Sequence, residues 1–218
     1  MEEEEDGRFP VKTIHVLSAV LATSMMIAVL GCSKVELGKS KSPEETELTL
    51  QRGSEALSDG RYSDAIPDLE SVLDARPADT NSRYNLGVAL QRVQSFRESI
   101  EVLTAWGDRG VELRKLGLKI KVPVDADADY LYALGTSYQE MRQFDEAQRC
   151  LDTSVAEFPE HLPSRYGRAM VLQQRGKLKE AQSAWTDYLQ RDPRSAWSEG
   201  ARRHLATVQQ KLGEESQP

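Results

Sequence analysis

Residues 132–159, YALGTSYQEMRQFDEAQRCLDTSVAEFP, and residues 166–193, YGRAMVLQQRGKLKEAQSAWTDYLQRDP, are two versions of one pattern set 34 residues apart. Ala147 and Ala181 keep that step, and so do Pro159 and Pro193. The pattern also lies upstream, as LQRGSEALSDGRYSDAIPDLESVLDARP at 50–77 and YNLGVALQRVQSFRESIEVLTAWG at 84–107. There Gly53 and Gly87 stand 34 apart, as do Ala65 and Ser99. Gly87 to Gly135 is 48, one period plus 14. A period in this range, carried by small residues, aromatics and prolines, marks a stack of helical hairpins.

Four units follow: 46–79, 80–113, 128–161 and 162–195. Each has a small residue at unit position 8 in its first helix (Gly53, Gly87, Gly135, Ala169) and another at position 20 in its second (Ala65, Ser99, Ala147, Ala181). Glycine inside a helix costs about 1 kcal/mol against alanine, so its recurrence asks for a packing reason. Close approach of the paired helices at positions 8 and 20 supplies one. Position 17 holds Tyr62, Phe96, Phe144 or Leu178, and position 24 holds Leu69, Leu103, Leu151 or Trp185; both continue the core face. Proline at position 32 ends three units, while Val111 stands there in the second. These residues resemble the tetratricopeptide repeat family over about two thirds of the chain. The expected fold is all-α: a right-handed superhelical array of about four helix-turn-helix repeats. A capping helix at 196–213 closes it and leaves a short tail at 214–218. In that helix Trp197, Ala201, Leu205, Val208 and Leu212 share one face, which assigns Trp197 to the core, and Gly213 ends it.

At the front, VLSAVLATSMMIAVL (16–30) is too short for a membrane span but suits the apolar core of an export signal. The segment VLGC at 29–32 resembles the lipobox of bacterial lipoproteins, which implies cleavage after residue 31 and lipid attachment at Cys32. An uncleaved signal anchor is the alternative. The acidic stretch MEEEEDGRFP opposes an export signal, whereas a start at Val11 places Lys12 before the apolar run. Residues 32–45 read as a polar tether, with Ser42-Pro43-Glu44-Glu45 as the start signal of the first repeat helix.

The chain carries a net charge of −7, and loss of residues 1–31 would remove five acids, Arg8 and Lys12. A mildly acidic body excludes nucleic acid as a partner, since that demands a concentrated basic surface. With Cys32 lipidated, only Cys150 remains, read here as a partly buried thiol without a disulfide. The insertion at 114–127, RKLGLKIKVPVDAD, begins basic, then alternates as a short extended segment does. Its Asp125 and Asp127, with Asp129 beyond, lack the glycine and glutamate of a calcium loop; helix capping is the better account.

No phosphate loop, nucleophile elbow or metal-spaced histidine appears, so neither enzyme activity nor a cofactor is expected. What remains is a stripe on the first helices at positions 5, 9 and 12, which lines the concave surface in the family the repeats resemble. It reads Leu50, Ser54, Leu57; Tyr84, Val88, Gln91; Tyr132, Thr136, Gln139; and Tyr166, Met170, Gln173. Arg92 at position 13, with Arg83 and Arg165 at position 4, would supply the positive charge. Tyrosine gives large contact area with a polar tip, and glutamine pairs with extended backbone. The tyrosines either grip a protein or peptide segment or fill space between neighbouring first helices. The sequence thus reads as a lipid-anchored binding scaffold of the bacterial cell envelope, facing the periplasm or exterior. An accessory subunit of a cell-wall or outer-membrane assembly complex, or a structural spacer, are the rival readings.

Overall fold

The computed structural model describes residues 41–106, 111–112 (backbone only) and 120–215. Helix α1 (Pro43–Ser58) begins where Ser42 caps it. The Ser42 hydroxyl accepts from the Glu45 N–H at 3.1 Å, and the Glu45 carboxylate accepts from the Ser42 N–H at 2.7 Å. This reciprocal pair, with Pro43 behind it, satisfies donors that a helix start leaves open. The helix therefore starts inside the segment that reads as tether. Helices α2 (Tyr62–Ala75), α3 (Thr80–Arg92) and α4 (Phe96–Thr104) follow. After a two-stranded hairpin come α5 (Ala128–Glu140), α6 (Phe144–Glu157), α7 (Leu162–Gln174), α8 (Leu178–Arg191) and α9 (Ala196–Glu215). Each helix packs on the next, and first helices also meet first helices: α1 with α3, α3 with α5, α5 with α7. The chain is an all-α array of paired helices.

Positions 8 and 20 are buried in all four units, as their recurrence requires. The side chain for which position 8 makes room, however, is the one at position 24. A Cβ on Gly87 would fall 2.7 Å from Leu103 Cδ2, and one on Gly135 2.9 Å from Leu151 Cγ. Position 20 touches only backbone there: the Ser99 hydroxyl donates to the Gly87 carbonyl at 3.0 Å. Leu69, Leu103, Leu151 and Trp185 are fully buried, so position 24 is the centre of each hairpin.

The turn inside each hairpin repeats too. Gly60, Gln94, Arg142 and Gly176 all occupy unit position 15, with φ of 74°, 63°, 59° and 73°. The following N–H reaches back five residues each time: Arg61 to Ala56, Ser95 to Leu90, Gln143 to Tyr138, Lys177 to Leu172, at 2.8–3.0 Å. That is the usual left-handed helix stop. Its glycine was visible in two units and disguised in the others.

Unit two departs from the rest. Helix α4 has 9 residues where α2, α6 and α8 have 14. The chain turns away after Thr104 and forms strands β1 (Val111–Glu112) and β2 (Lys121–Val122), paired antiparallel. Of the extended stretch expected at 118–122, residues 121–122 form a strand and Leu118 lies outside the described residues, while the partner strand precedes residue 114. Trp106, Ile120, Val122 and Tyr130 are buried together in one core cluster with Leu103 of α4. The Tyr130 hydroxyl donates to the Leu103 carbonyl at 2.7 Å and accepts from Trp106 Nε1 at 2.9 Å, which ties the truncated end shut. Asp127 caps α5 by accepting from the Tyr130 N–H at 2.8 Å, while Asp125 accepts from the Thr80 hydroxyl. These acids serve helix ends.

Three further expectations fail. The buried face of α9 is Ser198, Ala201 and Val208, with Leu205 and Leu212 beside it, and the helix runs through Gly213 to Glu215. Trp197 sits one residue off that face and is 58% exposed. Cys150 is fully buried, not partly, and burial pushes its thiol up. Among the described residues no helix is long and apolar enough to cross a membrane. The export segment, Cys32, Arg114, Lys115 and Lys119 lie outside the described residues.

Candidate functional site

Every residue at positions 5, 9 and 12 is half-buried, in all four units. Position 11, one residue away from position 12, is fully buried throughout, and position 13 is exposed throughout. The stripe is thus the shoulder of each first helix, part packing surface and part open surface.

Its tyrosines pack on neighbouring rings and backbone, within the unit and beyond it. Tyr84 lies 6.3 Å from the Tyr130 ring. Tyr132 meets His161 at 6.0 Å and lies against Gly167, where a Cβ would come 3.4 Å from its ring. Tyr166 is packed edge-on by Trp185 at 4.8 Å, Trp197 at 5.1 Å and Tyr188 at 5.4 Å. Tyr84 and Tyr132 thus bridge neighbouring first helices, Tyr166 joins its own hairpin to the capping helix, and all three are half-buried. Burial raises all three phenol pKa values, so the hydroxyls stay neutral, and among the described residues no hydrogen bond reaches them.

The glutamines divide. Gln91 donates to the Ala133 carbonyl at 2.5 Å and to the Ser137 hydroxyl at 2.7 Å, and so stitches α3 to α5. Thr136 belongs to the same stitch, its hydroxyl donating to the Ala133 carbonyl at 2.9 Å. Gln173, half-buried, accepts from Trp185 Nε1 at 3.0 Å, and among the described residues its amide N–H groups donate to no partner. Gln139, Val88 and Met170 stay half-open on the stripe.

Of the three arginines, two are structural. Arg83 is buried, stacks 4.7 Å over the Trp106 ring and donates to the carbonyls of Pro77 and Val102. Arg165 donates to the Pro159 carbonyl at 2.6 Å and pairs with Asp187. Position 4 is thus a clamp holding the end of the preceding unit, and its charge does not serve a ligand. Arg92 is exposed, 5.8 Å over the Tyr62 ring, and can still do so.

The stripe ends at a depression of about 300 Å³ where unit four meets α9. Leu162, Pro163, Tyr166, Tyr188 and Trp197 form its walls, and Asp192 and Ser195 its rim. The Ser195 hydroxyl first, then the Tyr188 hydroxyl, and then the backbone N–H groups of Ser195 and Arg194 hydrogen-bond to Asp192, and these bonds hold its carboxyl below the usual carboxylate range. Nothing in the sequence pattern marked this place, because Trp197 reads as core. Among the described residues no cluster of His, Cys, Asp and Glu could hold a metal ion. His161 caps α7, and His204 stacks on Trp185 at 5.0 Å.

The family profile for the tetratricopeptide repeat matches residues 50–107 and 132–196. It breaks across the hairpin. No curated protein matches the chain. Among solved structures, a MamA protein aligns at 18% identity with a TM-score of 0.63, covering 77% of this chain and 82% of its own. MamA MSR-1 aligns at 22% identity with a TM-score of 0.61, covering 79% and 91%. YrrB, described as a TPR protein with an unusual peptide-binding site, aligns at 17% identity with a TM-score of 0.61, covering 82% and 81%.

Proposed function

The chain belongs to the tetratricopeptide repeat family, and from that premise we propose that it is a lipid-anchored scaffold holding a protein or peptide segment along its first helices. The observation carrying this reading is the stripe: three tyrosines at matched positions on consecutive first helices, each half-open with its hydroxyl unspent among the described residues. A peptide laid across them meets aromatic area with polar tips, the side-chain type enriched at binding hot spots. Val88, Gln139 and Met170 complete the contact surface, and Gln173 offers donors to backbone carbonyls. YrrB, with its peptide-binding site on a similar fold, is consistent with such a role. The anchor rests on the sequence alone: VLGC after an export-like run assigns Cys32 to lipid and the array to the bacterial envelope.

Cross-linking and capture from intact membranes test the stripe. Val88→Glu with Met170→Glu places two charges on half-open positions that also flank the core, so helix content and the thermal melt are read beside capture. Loss of the captured partner with unchanged helix content is expected; undiminished capture would remove the stripe as the contact surface. Cys32→Ser should abolish labelling by a radioactive fatty acid and move the protein out of its membrane fraction. Persistent labelling would exclude that anchor.

A further inference from the structure

The depression at the end of the stripe has a composition that selects its occupant. Three rings, Tyr166, Tyr188 and Trp197, stand there as walls, with Tyr166 at 79° to Tyr188 and 76° to Trp197. Perpendicular rings enclose a space with π-electron faces and edges on different sides, and the rim carries a carboxylate, Asp192. Trp197 is 58% exposed, while Ser198, its neighbour, takes the buried place on α9. An exposed tryptophan beside an anionic group in an apolar hollow is an arrangement that attracts cations: the ring quadrupole and the carboxylate act with the same sign.

We propose that this depression is a receptor for an arginine side chain of the bound protein segment. The proposal rests on the reading of the stripe as a binding surface and names what its last subsite takes. Arginine fits better than other residues for three reasons. Its guanidinium is planar and stacks on Trp and Tyr faces, it is weakly hydrated, and its N–H fork matches a carboxylate. Asp192 Oδ1 accepts the Ser195 N–H at 3.2 Å and Oδ2 accepts both hydroxyls, with the Arg194 backbone as a further donor to the carboxylate, which keeps it charged where it lines the hollow. The hollow of about 300 Å³ holds a guanidinium with part of its methylene stem, which would lie against Leu162 and Pro163. Of Arg191, Arg194, Arg202 and Arg203, all but the exposed Arg194 are engaged among the described residues. Arg203 pairs with Glu199 at 3.0 Å, Arg202 donates to the Pro193 carbonyl, and Arg191 pairs with Glu160 and Asp187. Tyr166 is shared between stripe and hollow, so a segment running along α5 and α7 would deliver its end residues here.

The test needs no partner. The full chain, labelled with ¹⁵N, shows three tryptophan indole signals, and Trp197→Phe identifies one of them. N-acetyl-arginine amide should shift the Trp197 signal saturably while those of the buried Trp106 and Trp185 stay in place. N-acetyl-citrulline amide, the neutral isostere, should bind at least tenfold more weakly, and Asp192→Asn should weaken the arginine probe by a similar factor. Because Asp192→Asn also alters the Ser195 turn, Trp197→Ala at its exposed site is the second variant; arginine-induced shifts at the neighbouring backbone amides of α9 should vanish in it. Equal response to citrulline or to N-acetyl-phenylalanine amide, or an arginine response surviving both variants, would overturn the proposal. Since the probe is a single residue, its failure leaves the capture result with Val88→Glu and Met170→Glu untouched. Loss of capture with an intact arginine response would in turn separate the hollow from the stripe.

Discussion

Gly87 and Gly213 both lie inside helices, and their surroundings give them opposite responses to alanine. At Gly87 the new methyl would overlap Leu103, and overpacking of this kind costs about 1–3 kcal/mol, more than the roughly 1 kcal/mol of helix propensity gained. At Gly213 nothing lies within 4 Å, so the propensity gain stands alone. Urea unfolding should therefore show Gly87→Ala with a lower midpoint and Gly213→Ala with a higher one; equal signs would contradict the packing described. The turn at position 15 yields a second expectation. A side chain in the left-handed region costs roughly 1–2 kcal/mol, of which glycine's greater chain entropy takes back part. Arg142→Gly should raise stability by about 0.5 kcal/mol on that balance. A lowered midpoint would show that Arg142 does more than turn the chain. The 34-residue repetition exposed the small residues at positions 8 and 20 without the structure. It did not reveal that Leu103 and Leu151 fill the notch, because spacing orders residues along a helix and says nothing of which side chain reaches across.

Among the elements, α4 is the irregular one, and its early end is sealed by side chains rather than by helix. Tyr130→Phe removes the hydroxyl that joins Leu103 and Trp106, while Trp106 keeps its own bond to the Leu103 carbonyl at 3.1 Å. The loss should be about 1 kcal/mol, the net value of a satisfied hydrogen bond. Trp106→Ala empties the space itself and should cost about 3–5 kcal/mol. Thermal melts of the two variants check the order, and similar losses would mean the hydrogen bonds outweigh the packing. Val111 standing in place of the usual proline was the sequence's sign that unit two ends differently. The alternation at 118–122 told of one strand, but its partner at 111–112 had been absorbed into the repeat by counting. At the other end, Trp197 was assigned to the core because helical spacing resolves a face only to about one residue, and Ser198 won the buried place. The start of α1 was the most legible of all, since Ser42 and Glu45 pair within four residues of sequence. Hydrogen bonds from Ser42, backbone first, lower the Glu45 pKa below its usual 4.5. A depressed carboxylate stabilises above its unfolded pKa and loses that contribution as pH falls through the folded value. The first turn of α1 should accordingly lose protection as pH falls from 4.5 through the lowered folded value, read by amide exchange.

Across the whole molecule, stability is carried from neighbour to neighbour, so what happens at one end need not be felt at the other. The cap shows this through His204, which stacks on Trp185 and near Tyr166. Burial, then the charge of Arg203, lowers its pKa from 6.5. A histidine held neutral in the fold favours folding above its unfolded pKa and opposes it as pH falls below that value. Amide protection in α9 should drop between pH 7 and pH 5 while that of α5 changes little, and His204→Gln should flatten the difference. An unaltered pH response in that variant would assign the effect elsewhere. The middle of the array offers a different opportunity. Cys150 is fully covered and reluctant to ionise, and a thiol reacts through its thiolate. In a Cys32→Ser chain it would be the sole sulfhydryl, so each alkylation event would register one opening of the third hairpin. Followed against urea, that rate is a clock placed inside the stack. A slope equal to that of global unfolding means the hairpin parts only when everything does, and a shallow slope means it breathes on its own while its neighbours hold.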